Sequence, residues 1–225
     1  MKLIHGDCTK LLGDIPDKSI DVVITDPPYG IAYQKKDRPM MIGDNANILG
    51  VVLPDLYRVL KDDGAIYIFT SFKMLSDWLH RFQMYFKMNN LIIWDKQRNS
   101  GLQMGKNYGF SYEMVFYGSK GLHKLKGYCN DVLQYKRKNF KHHPTRKPPE
   151  LIANFIRLSS DRNELILDPF MGSGSTGEAC KKLDRKFIGI ELNPNYYELA
   201  KTRIEGTQYN QSLETDGQKD GHRSA

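Results

Sequence analysis

Leu165-Ile166-Leu167-Asp168-Pro169-Phe170-Met171-Gly172-Ser173-Gly174-Ser175-Thr176 is the stretch on which the architecture turns. A short apolar run meets a glycine-rich turn, and a helix-period segment then runs from Thr176 to Leu183. A second apolar run, Phe187-Ile188-Gly189-Ile190, ends at Glu191. Strand, turn, helix and strand in that order are the repeating unit of a parallel α/β sheet. Glycines in such a turn let the backbone pass close to a ligand and point free amides at it from the helix start. A carboxylate at the end of the second strand suits the two ribose hydroxyls of an adenosine-containing molecule.

Working outward, the same alternation recurs. Ile20–Thr25 reads as a buried strand, and Ile48–Leu60 as a helix closed at Lys61-Asp62-Asp63-Gly64, with Gly64 in a turn. Ala65–Thr70 reads as the next strand. A helix follows over Lys73–Phe86 with Leu75, Leu79, Phe82 and Phe86 on one face. Leu91–Trp94 and Glu113–Tyr117 are two further strands, whereas 119–142 shows no period. A helix starts at Pro148 and a last one runs from Pro194 to about Ile204, with Asn193 as its cap. We therefore expect one domain over residues 1–205 and a disordered polar tail over 206–225.

Gly172-x-Gly174-x-x-Gly177 also fits the dinucleotide fingerprint of nicotinamide-dependent dehydrogenases. Too little chain follows Gly177 for a second nucleotide-binding half, and Asp168-Pro169-Phe170 interrupts the apolar strand such enzymes continue. A second chemical signal is Asp26-Pro27-Pro28-Tyr29, directly after the strand ending at Thr25 and so at a carboxyl end of the sheet. The prolines remove two amide donors and stiffen the backbone. A carboxylate, a fixed carbonyl and an aromatic face suit a flat group that carries an exocyclic NH₂.

The formal charge is +7, and it is unevenly placed. The segment 96–147 alone carries a net +10, including Lys96, Arg98, Lys106, Lys136, Arg137, Lys138 and Lys141, and the remainder sums to −3. A mildly acidic body with one basic segment suits a polyanion-binding face. The cysteines Cys8, Cys129 and Cys180 are odd in number and unpaired in spacing, which suggests reduced thiols rather than disulfides or a zinc site. His142-His143 lacks matching metal-ligand partners, and no metal is expected. With no long apolar run and no secretory leader pattern, a soluble cytoplasmic protein without membrane contact is expected.

Taken together, the chain resembles the amino-group DNA methyltransferases, which use S-adenosylmethionine to methylate adenine N6 or cytosine N4. Asp26-Pro27-Pro28-Tyr29 is similar to their catalytic motif, and Phe170-Met171-Gly172-Ser173-Gly174 to their cofactor loop. His143-Pro144-Thr145-Arg146-Lys147-Pro148 resembles the segment that precedes that loop. The catalytic motif comes first, as in the permuted β group. The resemblance implies a Rossmann-like fold of mostly parallel strands with helices on both faces, in a bacterial or phage-infected bacterial cell, as a monomer or homodimer.

The resemblance also assigns roles. Asp26, Pro27, Pro28 and Tyr29 would be catalytic, acting on a base turned out of double-stranded DNA. Phe170, Gly172, Ser173, Gly174 and Thr176 would form the cofactor loop, and Asp26 would also border the cofactor. Glu191 would hold the ribose, Asp7 and Cys8 would lie near the adenine, Thr145 and Lys147 would bind the methionine carboxylate, and Asp168 the amino-acid end. Cys8 is read as packing, since cytosine-C5 enzymes need a Pro-Cys pair that is missing here. The recognition region of that group falls on about 96–142, and Lys35, Lys36 and Arg38 between Gly30 and Asn47 form a second DNA-contact candidate. Asp at the first motif position favours adenine. Cytosine N4 and a catalytically idle DNA-binding protein are the alternatives.

Overall fold

The computed structural model of the protein describes residues 1–29, 48–100, 108–136 and 146–210, the side chains of 98–100 excepted. Along the chain the elements are β1 (Lys2–His5), α1 (Cys8–Leu11), β2 (Ile20–Thr25), α2 (Ile48–Val59), β3 (Leu60–Thr70), α3 (Leu75–Gln83), β4 (Lys87–Ser100) and β5 (Phe110–Ser119). They continue with β6 (Val132–Gln134), α4 (Pro149–Ser159), β7 (Leu165–Asp168), α5 (Ser175–Lys182), β8 (Lys186–Glu191) and α6 (Pro194–Gly206). Among the described residues the strands form one eight-stranded sheet in the order β1-β8-β7-β2-β3-β5-β4-β6. All neighbours are parallel except β5, which runs antiparallel to both β3 and β4.

Two apolar layers cover this sheet. Helix α2 buries Ile48, Leu49, Val52, Leu53, Leu56 and Val59, one stripe at helical spacing, against the face also covered by α1 and α3. Helices α4, α5 and α6 cover the other face, with Leu151, Ile152, Phe155, Ile156, Ala179, Cys180, Ala200 and Ile204 in its core. Strands β2, β3 and β7, buried on both sides, read as near-continuous apolar runs for that reason.

Adjacent strands β7 and β2 pair Val22 with Ile166 and Val23 with Leu167. The sheet's order of strands reverses between them, which is where open α/β sheets form a crevice. Their carboxyl ends carry Asp168 and Asp26, so the glycine-rich turn and the Asp-Pro-Pro-Tyr segment come to lie side by side.

Some expectations are corrected. Gly64 lies inside β3, at a register shift opposite Ile20 and Val22, and is not a helix-closing turn. An added Cβ there would stand 2.6 Å from Leu60 Cγ and 3.0 Å from Asp21 O, so the close approach of β2 requires the glycine. On α3 the deeply buried residues are Trp78 and Phe82, while Leu75 and Leu79 are only partly buried. Residues 96–142, expected as a recognition insert, are in part the sheet itself, because β5 fills its middle and β6 extends its edge. Helix α6 ends at Gly206, and the next residues stay on the domain: Asn210 N donates to Lys182 O at 3.0 Å, and Arg162 lies 5.1 Å over the Tyr209 ring. From residue 211 the expected tail lies outside the described residues.

Candidate active site

The turn after β7 is built around Asp168. Its buried carboxylate accepts from Thr176 Oγ1 at 2.7 Å, from Thr25 Oγ1 at 3.0 Å and from Phe170 N at 3.1 Å. One side chain thus ties the start of α5, the end of β2 and the turn together. Burial pushes the Asp168 pKa up to about 7, against the pull of those donors. Gly172 and Gly174 hold φ of 52° and 84°, the left-handed region where a Cβ is disfavoured. Gly177 has a different reason to be glycine: an added Cβ would fall on Ile204 Cδ1 and 2.8 Å from Phe187 Cε1, so it allows α6 to close on α5. The fingerprint spacing therefore mixes ligand-loop and packing glycines.

Glu191 closes the far side of the turn. Oε2 accepts from Gly172 N at 2.9 Å and Oε1 from Asn193 N at 2.7 Å, so the carboxylate fixes the loop backbone with both oxygens. Burial raises its pKa, against those amides. His5 pairs with Glu191 in register, and Gly6 N donates to Glu191 O at 2.9 Å, which brings Asp7 and Cys8 beside it. Asp7 caps α1 through Thr9 N at 3.0 Å. The buried Cys8 thiol is pushed up to about 12 by burial, with Asp7 and Glu191 adding to the shift, and stays protonated. Asn193 caps α6 through Asn195 N at 2.9 Å, as its sequence position suggests.

On the other side of the crevice stands Asp26. Tyr29 Oη donates to Asp26 Oδ1 at 2.7 Å, and Lys147 Nζ lies 2.7 Å from Asp26 Oδ2. The Tyr29 ring packs edge-on to Trp78 with centroids 5.4 Å apart, and burial beside Asp26 raises its pKa well above the usual value. Pro27 is buried and Pro28 half-buried. Between Asp26 and the turn lies a small cavity of about 50 Å³, whose lining includes Thr25, Asp26, Phe69, Arg146, Lys147, Asp168, Phe170, Gly172, Ser173 and Thr176. The Ser173 hydroxyl is buried there without a hydrogen-bond partner. Left-handed glycines, an orphaned hydroxyl and a carboxylate-braced loop fit a polar ligand held by backbone and side-chain groups.

Lys147 departs from its expected part. Its buried ammonium sits between Asp26 and Glu113 Oε2, the latter at 2.8 Å, and 4.8 Å over the Phe69 ring. Burial opposes the charge, but the two carboxylates outweigh it and raise the pKa. Lys96 is corrected outright: it is 5% exposed and 3.6 Å from Glu113 Oε1, so it faces inward rather than toward a phosphate. Lys120 and Lys126 are also internally paired, with Asp62 at 3.7 Å and Asp161 at 2.6 Å, and Arg146 bridges to Glu178. Five basic residues of the +10 segment are thus committed within the fold, while Lys136 is exposed. Arg98 lies in β4 without a described side chain. Thr145, Lys35, Lys36, Arg38, Lys106, Arg137, Lys138 and Lys141 lie outside the described residues. Among those described there is no metal-binding cluster, and no helix is long and apolar enough to cross a membrane.

A family model for DNA methylases of the N6/N4 type matches residues 20–132 and 123–202. The chain belongs to this family of DNA amino-methyltransferases. It is 32% identical to the type II methyltransferase M.HpaI of Haemophilus parainfluenzae, over 91% of this chain and 74% of that protein. It is 29% identical to the DNA adenine methyltransferase YhdJ of Escherichia coli (strain K12), over 90% and 82%. Among solved structures it is similar to the M1.HpyAVI–SAM complex, with TM-score 0.69 and 27% identity over 90% of this chain and 98% of the other. The cytosine-N4-specific PvuII DNA methyltransferase shares the fold, with TM-score 0.78 and 21% identity over 90% and 85%.

Proposed function

We propose that this protein transfers a methyl group from S-adenosylmethionine to N6 of adenine in double-stranded DNA. The observation that carries the reading is the Asp26 carboxylate at the end of β2, held by Tyr29 and Lys147 next to the cavity under the Gly172–Gly174 turn. S-adenosylmethionine supplies the activated methyl group. Gly172, Ser173 and Gly174 bind it with Phe170, Glu191 takes the ribose, and Asp7 and Cys8 border the adenine.

The exocyclic nitrogen of adenine is a weak nucleophile because its lone pair is shared with the ring. Asp26 and the Pro27 carbonyl each accept one of its N–H groups, which favours a pyramidal nitrogen with a localised lone pair. Tyr29 offers a ring for the base to stack on, and the base leaves the duplex because its amino group is otherwise engaged in pairing. The protein's share is orientation and electrostatics, and no covalent enzyme intermediate is needed. The proton released from nitrogen passes to Asp26, since Lys147 is already charged.

Asp26, where the resemblance sets Asp for adenine against Ser for cytosine, and the likeness to YhdJ favour adenine. The shared fold with a cytosine-N4 enzyme keeps N4-cytosine as the second reading. The test is nucleoside mass spectrometry of unmethylated DNA incubated with the protein and S-adenosylmethionine. N6-methyladenine is expected, and N4-methylcytosine without it overturns the base assignment. Asp26→Ala is expected to abolish transfer, and an active variant removes the tetrapeptide from the mechanism.

A further inference from the structure

A buried run of alternating charge leads away from the candidate catalytic carboxylate. Asp26 Oδ2 meets Lys147 Nζ at 2.7 Å, Lys147 meets Glu113 Oε2 at 2.8 Å, and Glu113 Oε1 faces Lys96 Nζ at 3.6 Å. The side chains of Lys147 and Lys96 are 10% and 7% exposed, Glu113 is 22% exposed, and Asp26 is the most open at 31%. Charges taken out of water are costly unless each finds a partner, and removal of one leaves its neighbour stranded. The four together are neutral, and the open end of the run faces the cavity.

We propose that Lys147 and Glu113 are positioning residues that aim the Asp26 carboxylate at the base during methyl transfer. This rests on the function proposed above and departs from the role the resemblance gives Lys147, as a ligand of the methionine carboxylate. Clamped between two anions, Lys147 stays an ammonium and does not compete as proton acceptor. Glu113 keeps it from swinging into the cavity, and Lys96 neutralises Glu113 from behind. The other charged or titratable groups near Asp26 are Tyr29, bonded to Oδ1, Asp168 at the end of β7, and Arg146 in the cavity wall. None of these separates Lys147 from Asp26.

The test compares the full-length parent with Lys147→Met, Lys147→Arg and Glu113→Gln. Single-turnover methyl transfer to DNA at saturating cofactor is measured at neutral pH, alongside S-adenosylmethionine affinity by calorimetry. Lys147→Met, which leaves Asp26 Oδ2 unheld, is expected to slow transfer by about ten- to a hundredfold, and Lys147→Arg to bring most of it back. Glu113→Gln, which keeps an oxygen beside Lys147 but not the charge, is expected to slow transfer less, by about three- to tenfold. Cofactor affinity should stay within about threefold in all three, since none of them is proposed to hold the cofactor.

A parent transfer rate in Lys147→Met or in Glu113→Gln, or a Lys147→Arg variant as slow as Lys147→Met, overturns the proposal. So does loss of cofactor affinity in Lys147→Met with an unchanged rate at saturating cofactor, which returns Lys147 to the methionine carboxylate. If Lys147→Met does not fold, slowed transfer at parent cofactor affinity in Glu113→Gln carries the test, and its absence overturns the proposal. Asp26→Ala run in parallel separates the two readings. Parent transfer that survives Asp26→Ala refutes the function, whereas transfer lost in Asp26→Ala with parent rates in Lys147→Met and Glu113→Gln refutes only the positioning run.

Discussion

Replacing Tyr29 by Phe removes one hydroxyl and keeps the ring. In the structure that hydroxyl donates to Asp26 Oδ1 at 2.7 Å, a short bond to an acceptor that is partly shielded from water. Hydrogen bonds to charged groups contribute about 1.5–3 kcal/mol. If the bond orients Asp26 in the transition state, single-turnover methyl transfer to DNA falls by about ten- to a hundredfold, because about 1.4 kcal/mol is a factor of ten. Tyr29 does not line the cavity beneath the glycine turn, so the affinity for S-adenosylmethionine should stay within about twofold. The freed Asp26 oxygen can take a water molecule, and no buried donor is orphaned. Rapid-quench transfer of a labelled methyl group, with calorimetry on the same preparation, reads both quantities. A Phe variant that transfers at the parent rate refutes the orienting role of the hydroxyl, and one that loses cofactor affinity instead refutes its assignment to the base side of the crevice.

Three other outcomes follow from the geometry. Glu191→Gln turns an amide NH₂ toward a backbone N–H that now donates to Glu191, and should weaken S-adenosylmethionine binding about ten- to a hundredfold; unchanged affinity by calorimetry contradicts the bracing role. Gly177→Ala forces a methyl onto Ile204 and Phe187, a strain of about 1–3 kcal/mol offset by about 1 of helix preference. A net loss of about 1 kcal/mol in urea unfolding, relieved by Ile204→Val, is expected, and a loss that Ile204→Val does not relieve argues against the clash. Asp168 binds its proton more tightly folded, near pH 7, than at its ordinary value of 3.8. The stability it contributes is complete below about pH 4 and is lost as pH rises through 7. Between pH 5 and 7 the parent should lose on the order of 2 kcal/mol that Asp168→Asn does not lose; parallel pH profiles in the two proteins exclude this.

Long apolar runs made most of the sheet legible, because strands buried on both faces need no alternation to be seen. What escaped was short or depended on tertiary partners. Strand β1 has four residues with exposed ends, and β6 has three, too few for a period. Gly64 carries the turn signal of a helix end, yet the adjacent strand's need for space placed it in a bulge. In the site, Asp26, Asp168 and Glu191 stood out because each ends a strand. Glu113 begins an apolar run, and its carboxylate finds partners in Lys147, which arrives from before α4, and in Lys96 of β4. Lys96 looked like one more member of a basic patch. Its burial follows from the pairing of β4 with β5, which sets Trp94 opposite Glu113, and no local pattern records that.

The protonated Cys8 carries a consequence for the protein's own integrity. A sulfonium methyl donor alkylates good nucleophiles, and a thiolate is among the best of those a protein carries. With the Cys8 pKa pushed up to about 12, its thiolate fraction at pH 7 is on the order of 10⁻⁵. Cys180, on the helix that starts at the glycine turn, is raised well above its ordinary value by burial and by Asp168. Burial, with the neighbouring carboxylates adding to it, thus keeps the sulfur beside the glycine turn in the unreactive thiol form.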